Sequence, residues 1–214
     1  MSEYPKIPAL YRRSADKGHR VLVGQYNDPA VEYLKDNLWF FKEKLDGTNV
    51  RIEWDGFEVR FFGRTDRAQL PPPLLEHLDV LYGGGDFEAM FEQTFGEKPV
   101  TIYGEGIGPK INKGGDYGDV QFVAFDVLVG ETFWLDQGSL EAVLTSMGVP
   151  FVPLYFPGPE RLSDVVRKIR HEGRVISGYK TASPAEGLVA TPAYPVRSVR
   201  GKRIQVKIKA PELV

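Results

Sequence analysis

The residues with most scope for chemistry in this sequence are charged side chains standing where charge is costly. Lys44 closes an apolar run in FKEKLDGTNV (residues 41–50), two residues before an Asp-Gly pair and five before Asn49. Glu105 lies within VTIYGEGIG, Asp126 within VQFVAFDVLVG, Glu186 heads EGLVATP, and Lys207 and Lys209 alternate with apolar residues in RIQVKIK. Each sits at or beside a stretch that otherwise reads as buried strand, where a charge must be paired or used. Singly, each also has an ordinary structural account. A lysine at a strand end snorkels toward water, VKIK fits an amphipathic edge strand, and Glu186 after SPA fits a turn. Their joint order along one chain makes a stronger case for a site than any one of them.

The composition closes off several other chemistries. The chain has no cysteine, which excludes disulfides, thiolate zinc sites and cysteine nucleophiles, and its three histidines, His19, His77 and His171, are too scattered to suggest a metal cluster. Any metal would sit on oxygen ligands, as magnesium does. GEGIG at 104–108 is not the dinucleotide fingerprint, no glycine-rich loop ends in Gly-Lys-Ser/Thr, and no Gly-x-Ser-x-Gly elbow occurs.

The elements that must hold these residues are mainly strands. LWFFKEK (38–44) reads as a strand ending at Lys44, and VRIEW and FEVRFFG flank Asp55-Gly56 as a hairpin with a two-residue turn. LLEHLDVLY and FEAMFEQTF carry helical spacing, with GGGD as a break between them. VTIYGEGIG, VQFVAFDVLVG and ETFWLD read as strands, followed by a helix over SLEAVLTSM closed by Gly148. A last helix, LSDVVRKIRHE, precedes the strands EGLVATP and RIQVKIK, and FPGPE (156–160) is the one linker-like stretch. The expected class is α+β, mostly antiparallel sheets with flanking helices. With 214 residues, 42% of them apolar, the chain can bury a real core and reads as a single domain over 1–214. No apolar run approaches a membrane span and the N-terminus lacks signal-peptide order, which predicts a soluble cytoplasmic protein.

The net charge of −2 hides an asymmetry: residues 160–214 carry 12 Lys+Arg against 5 Asp+Glu, whereas residues 1–159 carry 15 against 24. Arg167, Lys168, Arg170 and Arg174 read as the solvated face of a helix. The basic end as a whole is expected to be able to face phosphates.

In chain order, EKLDGTN, YGEGIG, FVAFDV, EGLV and VKIK resemble motifs I, III, IIIa, IV and V of the covalent nucleotidyltransferases, which comprise ATP- and NAD-dependent ligases and mRNA capping enzymes. The resemblance spans residues 38–209. GTN after the lysine, and GPKINKGGDYGDVQF between motifs III and IIIa, are similar to the bacteriophage RNA ligase 2 family, whereas DNA ligases and capping enzymes commonly carry arginine where Asn49 stands.

This resemblance implies an ATP-dependent RNA ligase with a nucleotidyltransferase adenylation fold. Lys44 would attack the α-phosphorus of ATP, expel pyrophosphate and hold AMP as a phosphoramidate. The AMP then passes to an RNA 5′-phosphate, from which a 3′-hydroxyl displaces it. A free lysine titrates near ~10.4, so Lys44 must lose a proton, and burial, the cations Lys207 and Lys209 and a bound Mg2+ or Mn2+ would all favour that. Lys207 and Lys209 would also offset charge on the α-phosphate as pyrophosphate leaves. By the same resemblance Glu105 accepts from the ribose hydroxyls, Phe125 stacks on adenine, Glu186 helps hold the metal, Asn49 orients its water shell, and Arg64 contacts ribose or phosphate. Phe122 is a rival to Phe125, but on a regular strand the two face opposite ways, and Phe125 in the pocket puts Asp126 on the other face.

Family members usually continue past motif V into a second domain that engages the nucleic acid, and here five residues follow Lys209. The expectation is either a minimal ligase that grips RNA with its own surface, through Arg197, Arg200, Lys202 and Arg203, or one that works with a partner subunit. Two other readings stand beside it. A DNA ligase or GTP-using capping enzyme is disfavoured by Asn49 and KGGDYG. A non-catalytic nucleotide- or RNA-binding module of the same fold has no need of the nucleophile, yet Lys44, Glu186, Lys207 and Lys209 are all present.

Overall fold

The computed structural model describes residues 3–16, 18–111, 116–198 and 201–213. In chain order the elements are β1 (Tyr11–Arg13), β2 (Val21–Tyr26), α1 (Pro29–Leu34), β3 (Leu38–Lys44), β4 (Thr48–Trp54), β5 (Val59–Phe62), α2 (Pro72–Tyr82) and α3 (Gly85–Phe95). There follow β6 (Val100–Ile107), β7 (Gln121–Val129), β8 (Phe133–Trp134), α4 (Gln137–Ser146), β9 (Glu160–Arg161), α5 (Leu162–Glu172), β10 (Gly187–Pro192) and β11 (Val206–Lys209), with a 3-10 turn over Ala210–Glu212. All pairings between named strands are antiparallel, and the class is α+β.

The chain divides into two compact units, one of residues 1–5 and 46–152, the other of residues 6–45 and 153–214. The first is built on a five-stranded sheet in the order β5-β4-β6-β7-β8. Val50, Ile52 and Trp54 of β4 and Val100 and Ile102 of β6 alternate onto one face, where they pack with Leu74 and Leu78 of α2, Phe87 and Phe91 of α3, and Leu140 and Leu144 of α4. Period-two strands against helices with one apolar stripe are sufficient to form this core. The centre of the sheet is tightly built at Gly104. A Cβ there would lie 2.2 Å from the Phe122 ring and 2.7 Å from the Val123 carbonyl, so the glycine is what lets Phe122 lie across β6.

Two local expectations change in this unit. The Asp55-Gly56 hairpin has a four-residue loop, because the first pair beyond it is Trp54 with Val59. The Asp55 carboxylate accepts from the amides of Phe57 and Glu58, and this side-chain turn takes up residues that strand pairing would otherwise use. The glycine break between α2 and α3 is only Gly83 and Gly84, since Gly85 already belongs to α3.

The second unit holds a four-stranded sheet, β11-β10-β3-β9, and the hairpin β1-β2. Trp39 and Phe41 of β3, Leu188 and Ala190 of β10, and Val206 and Ile208 of β11 share a core with Leu162, Val165, Val166 and Ile169 of α5. The α5 stripe has helical spacing, and Arg167, Lys168 and Arg170 lie on its exposed side as expected. Gly173, at φ 70°, ends the helix in the left-handed region. The β1-β2 hairpin and α1 were not legible in the sequence: β1 has three residues, and α1 is six residues long, started by Asp28 accepting from the Ala30 amide.

Replacing Gly104 by alanine is expected to cost about 1–3 kcal/mol by overpacking. Urea unfolding checks this, with Gly104→Ala/Phe122→Leu recovering part of the loss because the smaller side chain relieves the ring contact but not the carbonyl contact.

Candidate active site

The register of the four-stranded sheet brings the sequence-predicted cations together. Lys44 pairs with Gly187 across β3 and β10, and Gly187 pairs with Lys209 across β10 and β11. Two pairs along, Val189 stands between Lys42 and Lys207. Core residues alternate with these lysines on both outer strands, so Lys42, Lys44, Lys207 and Lys209 share the face turned away from α5.

Glu186, immediately before β10, ties the row together. Its Oε2 accepts from Lys44 Nζ, and its Oε1 accepts from Lys209 Nζ at 2.5 Å. Burial pushes the Glu186 carboxyl up, but the hydrogen bonds from Lys209 and Lys44 outweigh it and hold the group below its usual value. Lys207 is pushed below the usual lysine range, first by burial and then by the charges of Lys209 and Lys44. Gly187 permits this close spacing, since a Cβ there would fall 1.9 Å from the Ile208 carbonyl oxygen.

Sequence reasoning passed over Glu43. It lies on the core side of β3, next in sequence to Lys44, and is 6% exposed. Its carboxylate accepts from Ser177 Oγ at 2.5 Å and the Gly178 amide at 2.7 Å, while Ser177 Oγ accepts from the amides of Tyr179 and Lys180. The strand that carries Lys44 therefore also fixes the loop leading to Glu186. An acid inside an apolar alternation, in WFFKEK, was the available signal.

In the other unit, Asn49 and Glu105 are direct partners across β4 and β6, on the sheet face opposite the helices. The Glu105 carboxylate accepts from the Gly47 amide at 3.2 Å, and the Asp46 amide donates to the buried Tyr117 hydroxyl at 2.7 Å. Arg64 is exposed in the loop after β5. That loop is held by Arg51, a fully buried cation that donates to the Gly63 carbonyl, pairs with Glu53 at 2.8 Å and Asp66 at 2.5 Å, and lies over the Phe62 ring.

In β7 the two aromatic residues face opposite ways as expected, and what changes is the relation of Phe125 to Asp126. Phe122 is fully buried in the core under α2 and is absent from the opposite face. Tyr103 pairs with Asp126 and Gly104 with Ala124, so Phe125 is the extra residue of a β-bulge. The alternation breaks there. The Tyr4 ring meets Phe125 at 5.0 Å while its hydroxyl donates to Asp126 at 3.0 Å, so one partner touches both neighbours instead of their pointing to opposite faces.

Among the described residues no three His, Asp or Glu side chains group as a metal cluster. Glu186 and Asn49 each offer hard oxygen, and the buried Asn49 Oδ1 has no hydrogen-bond partner. Such an acceptor fits a donor brought by a ligand, and oxygen chemistry of this kind suits magnesium or manganese, which retain water and phosphate ligands.

The basic residues predicted to hold RNA lie in the β10–β11 connection. Arg197 bridges to Arg203, and Lys202 is exposed. Arg200 lies outside the described residues. No helix among the described residues is long and apolar enough to cross a membrane.

The antiparallel α+β framework that carries the Lys44, Glu186 and Lys209 row has the fold of solved RNA ligases. The chain belongs to the RNA ligase family, whose family model matches residues 37–209. It resembles solved structures of an RNA ligase from Naegleria gruberi. An arginine-to-alanine variant with ATP and Mn superposes with TM-score 0.68 at 16% identity, covering 98% of this chain and 56% of that one. A lysine-to-alanine variant, also with ATP and Mn, gives TM-score 0.65 at 17% identity over 86% of this chain and 53% of that one. A lysine-to-methionine variant with AMP and Mn gives 0.63 at 16% over 97% and 57%. The chain thus spans a little over half the length of these ligases.

Two stability measurements follow from the electrostatics. The folded Glu186 carboxyl titrates below its unfolded value, so its contribution is present above about pH 4.3 and is lost as pH falls through the folded value. Glu186→Gln is therefore expected to lower the unfolding midpoint at pH 7 and to converge with wild type in acid. Lys207 has the opposite sign. Its folded ammonium titrates below the unfolded one, so the penalty is present at pH 7 and relieved as pH rises toward 10.5. Lys207→Met should leave the pH 7 midpoint unchanged or higher.

Proposed function

We propose that the chain is an ATP-dependent RNA ligase, its two units serving as one adenylation domain over 1–214. The observation that carries this reading is the row Lys44, Glu186 and Lys209, with Lys207 two pairs along, at the matched ends of β3, β10 and β11. A carboxylate shared by two lysines can release either one when a phosphate competes for it. Lys44, freed and deprotonated, attacks the α-phosphorus of ATP; the new N–P bond forms as the bond to pyrophosphate breaks. Lys207 and Lys209 offset the charge that develops on the phosphate oxygens. The RNA 5′-phosphate then takes AMP from Lys44, and the 3′-hydroxyl displaces AMP from the RNA.

The roles of the remaining residues follow the family pattern. Glu105 takes the ribose hydroxyls, Phe125 stacks on adenine, and Arg64 meets ribose or phosphate. A bound Mg2+ or Mn2+ would supply positive charge at the phosphates, and Glu186 and Asn49 are each suited to such an ion or its waters. The solved Naegleria gruberi ligases with ATP and Mn support ATP and a divalent ion as the ligands. RNA is the nucleic-acid substrate; if a partner subunit supplies its engagement, joining by the isolated chain will require that second protein.

Incubation with α-labelled ATP and magnesium is expected to give an acid-labile AMP adduct on a denaturing gel, absent in Lys44→Ala and strongly reduced in Glu186→Ala. Label surviving in Lys44→Ala, or full labelling in excess chelator, would overturn the assignment. Labelling by GTP or NAD in place of ATP would indicate a capping enzyme or another ligase class. No label with any of the three would indicate a binding module.

A further inference from the structure

The β10–β11 connection, residues 193–205, contains four cations and no carboxylate in a chain of net charge −2. It is folded. The Arg197–Arg203 bridge is closed by the Ser198 amide donating to the Lys202 carbonyl and the Gly201 amide donating to the Ser198 carbonyl, both at 2.8 Å, and Ile204 anchors its base in the core. Arg197 and Lys202 are exposed, Arg203 is half-buried, and Tyr194, at the start of the connection, is 74% exposed.

Its position on the sheet decides what it can reach. Lys44 and Glu186 lie at the Gly187 end of β10, whereas the connection leaves from Pro192, which pairs with Trp39. Five residue steps at about 3.3 Å place its start about 17 Å along the strand from the Lys44 row. For a strand stacked at the duplex DNA spacing of one phosphate per about 3.4 Å, that is roughly five nucleotides.

We infer that the β10–β11 connection is a distal RNA grip: Arg197, Lys202 and Arg203 meet backbone phosphates, and Tyr194 stacks on a base, roughly five or more nucleotides from the phosphate handled at Lys44. Cations beside an exposed aromatic ring bind single-stranded nucleic acid without reading its sequence. Tyr194, Arg197, Lys202 and Arg203 alone carry the inference, since residues 199–200 lie outside the described residues. A grip at this distance from the reacting phosphate depends on the ligase reading above, but its affinity for RNA does not.

The test compares wild type with Arg197→Ala/Lys202→Ala/Arg203→Ala and with Tyr194→Ala, after thermal unfolding has verified that each variant folds. Pre-adenylated RNAs are joined with arms of about 4 or about 16 nucleotides on either side of the junction. The variants are expected to lose about tenfold in joining the long-armed substrate and less than twofold in joining the short-armed one, with Tyr194→Phe near wild type. The salt slope of long-arm joining should fall by about 2 in the triple variant, at about 0.7 per lost single-strand phosphate contact. Equal losses for both arm lengths, or none for either, would overturn the inference. Fluorescence anisotropy with a single-stranded RNA of about 20 nucleotides separates this from failure of the ligase reading. If wild type neither labels Lys44 nor joins RNA, a tenfold weaker binding by the triple variant still supports the grip, and unchanged binding overturns it.

Discussion

The carboxylate of Glu186, divided between Lys44 and Lys209, is the interaction on which the lysine-bearing sheet depends. Four lysines on one face of neighbouring strands repel one another, and two of them, Lys44 and Lys209, are tied by a single acid that is itself half-buried. That arrangement requires β10 and β11 to approach closely at Gly187, where a side chain of any size would strike the Ile208 carbonyl. Strand spacing and charge pairing are therefore one constraint. Widening the strands at Gly187 would draw Lys209 off the carboxylate, and losing the carboxylate would leave like charges facing each other along the row.

This cluster is not built for stability alone. Lys207 has its ammonium disfavoured by burial and by its lysine neighbours, a cost that a purely structural sheet would avoid with an apolar residue. An anion placed among these cations would convert that cost into binding. Sites that hold strained electrostatics in the absence of ligand are where function is expected to override local preference.

The five-stranded sheet solves a different problem, that of presenting polar and aromatic groups on the face its helices leave uncovered. Arg51 holds the loop bearing Arg64 from within the sheet, while burial pushes the Glu53 carboxyl up despite the neighbouring guanidinium. The bulge at Phe125 breaks the alternation of β7, and Tyr4 packs against the ring while bonding to Asp126 beside it. Asn49 Oδ1, buried without a partner, is the one side-chain acceptor among the described residues that is left unsatisfied in this way.

The sequence by itself determined which charged side chains stand out from apolar surroundings and which strands carry them. Lys44, Glu105, Glu186, Lys207 and Lys209 stand out because alternation and motif order are local properties, readable within a few residues. The central strands and longer helices were legible for the same reason, and so was the cationic face of α5. The convergence of Lys44 with Glu186, 142 residues apart, was decided by strand order and register, which no local pattern encodes. Register likewise set the basic connection at the far end of β10 from Lys44, although VRSVRGKR and VKIK are neighbours in sequence. The bulge at Phe125 and the loop-holding roles of Glu43 and Arg51 also required the tertiary structure. Each depends on what a side chain meets across a sheet or loop, and that contact exists only once distant segments have been brought together.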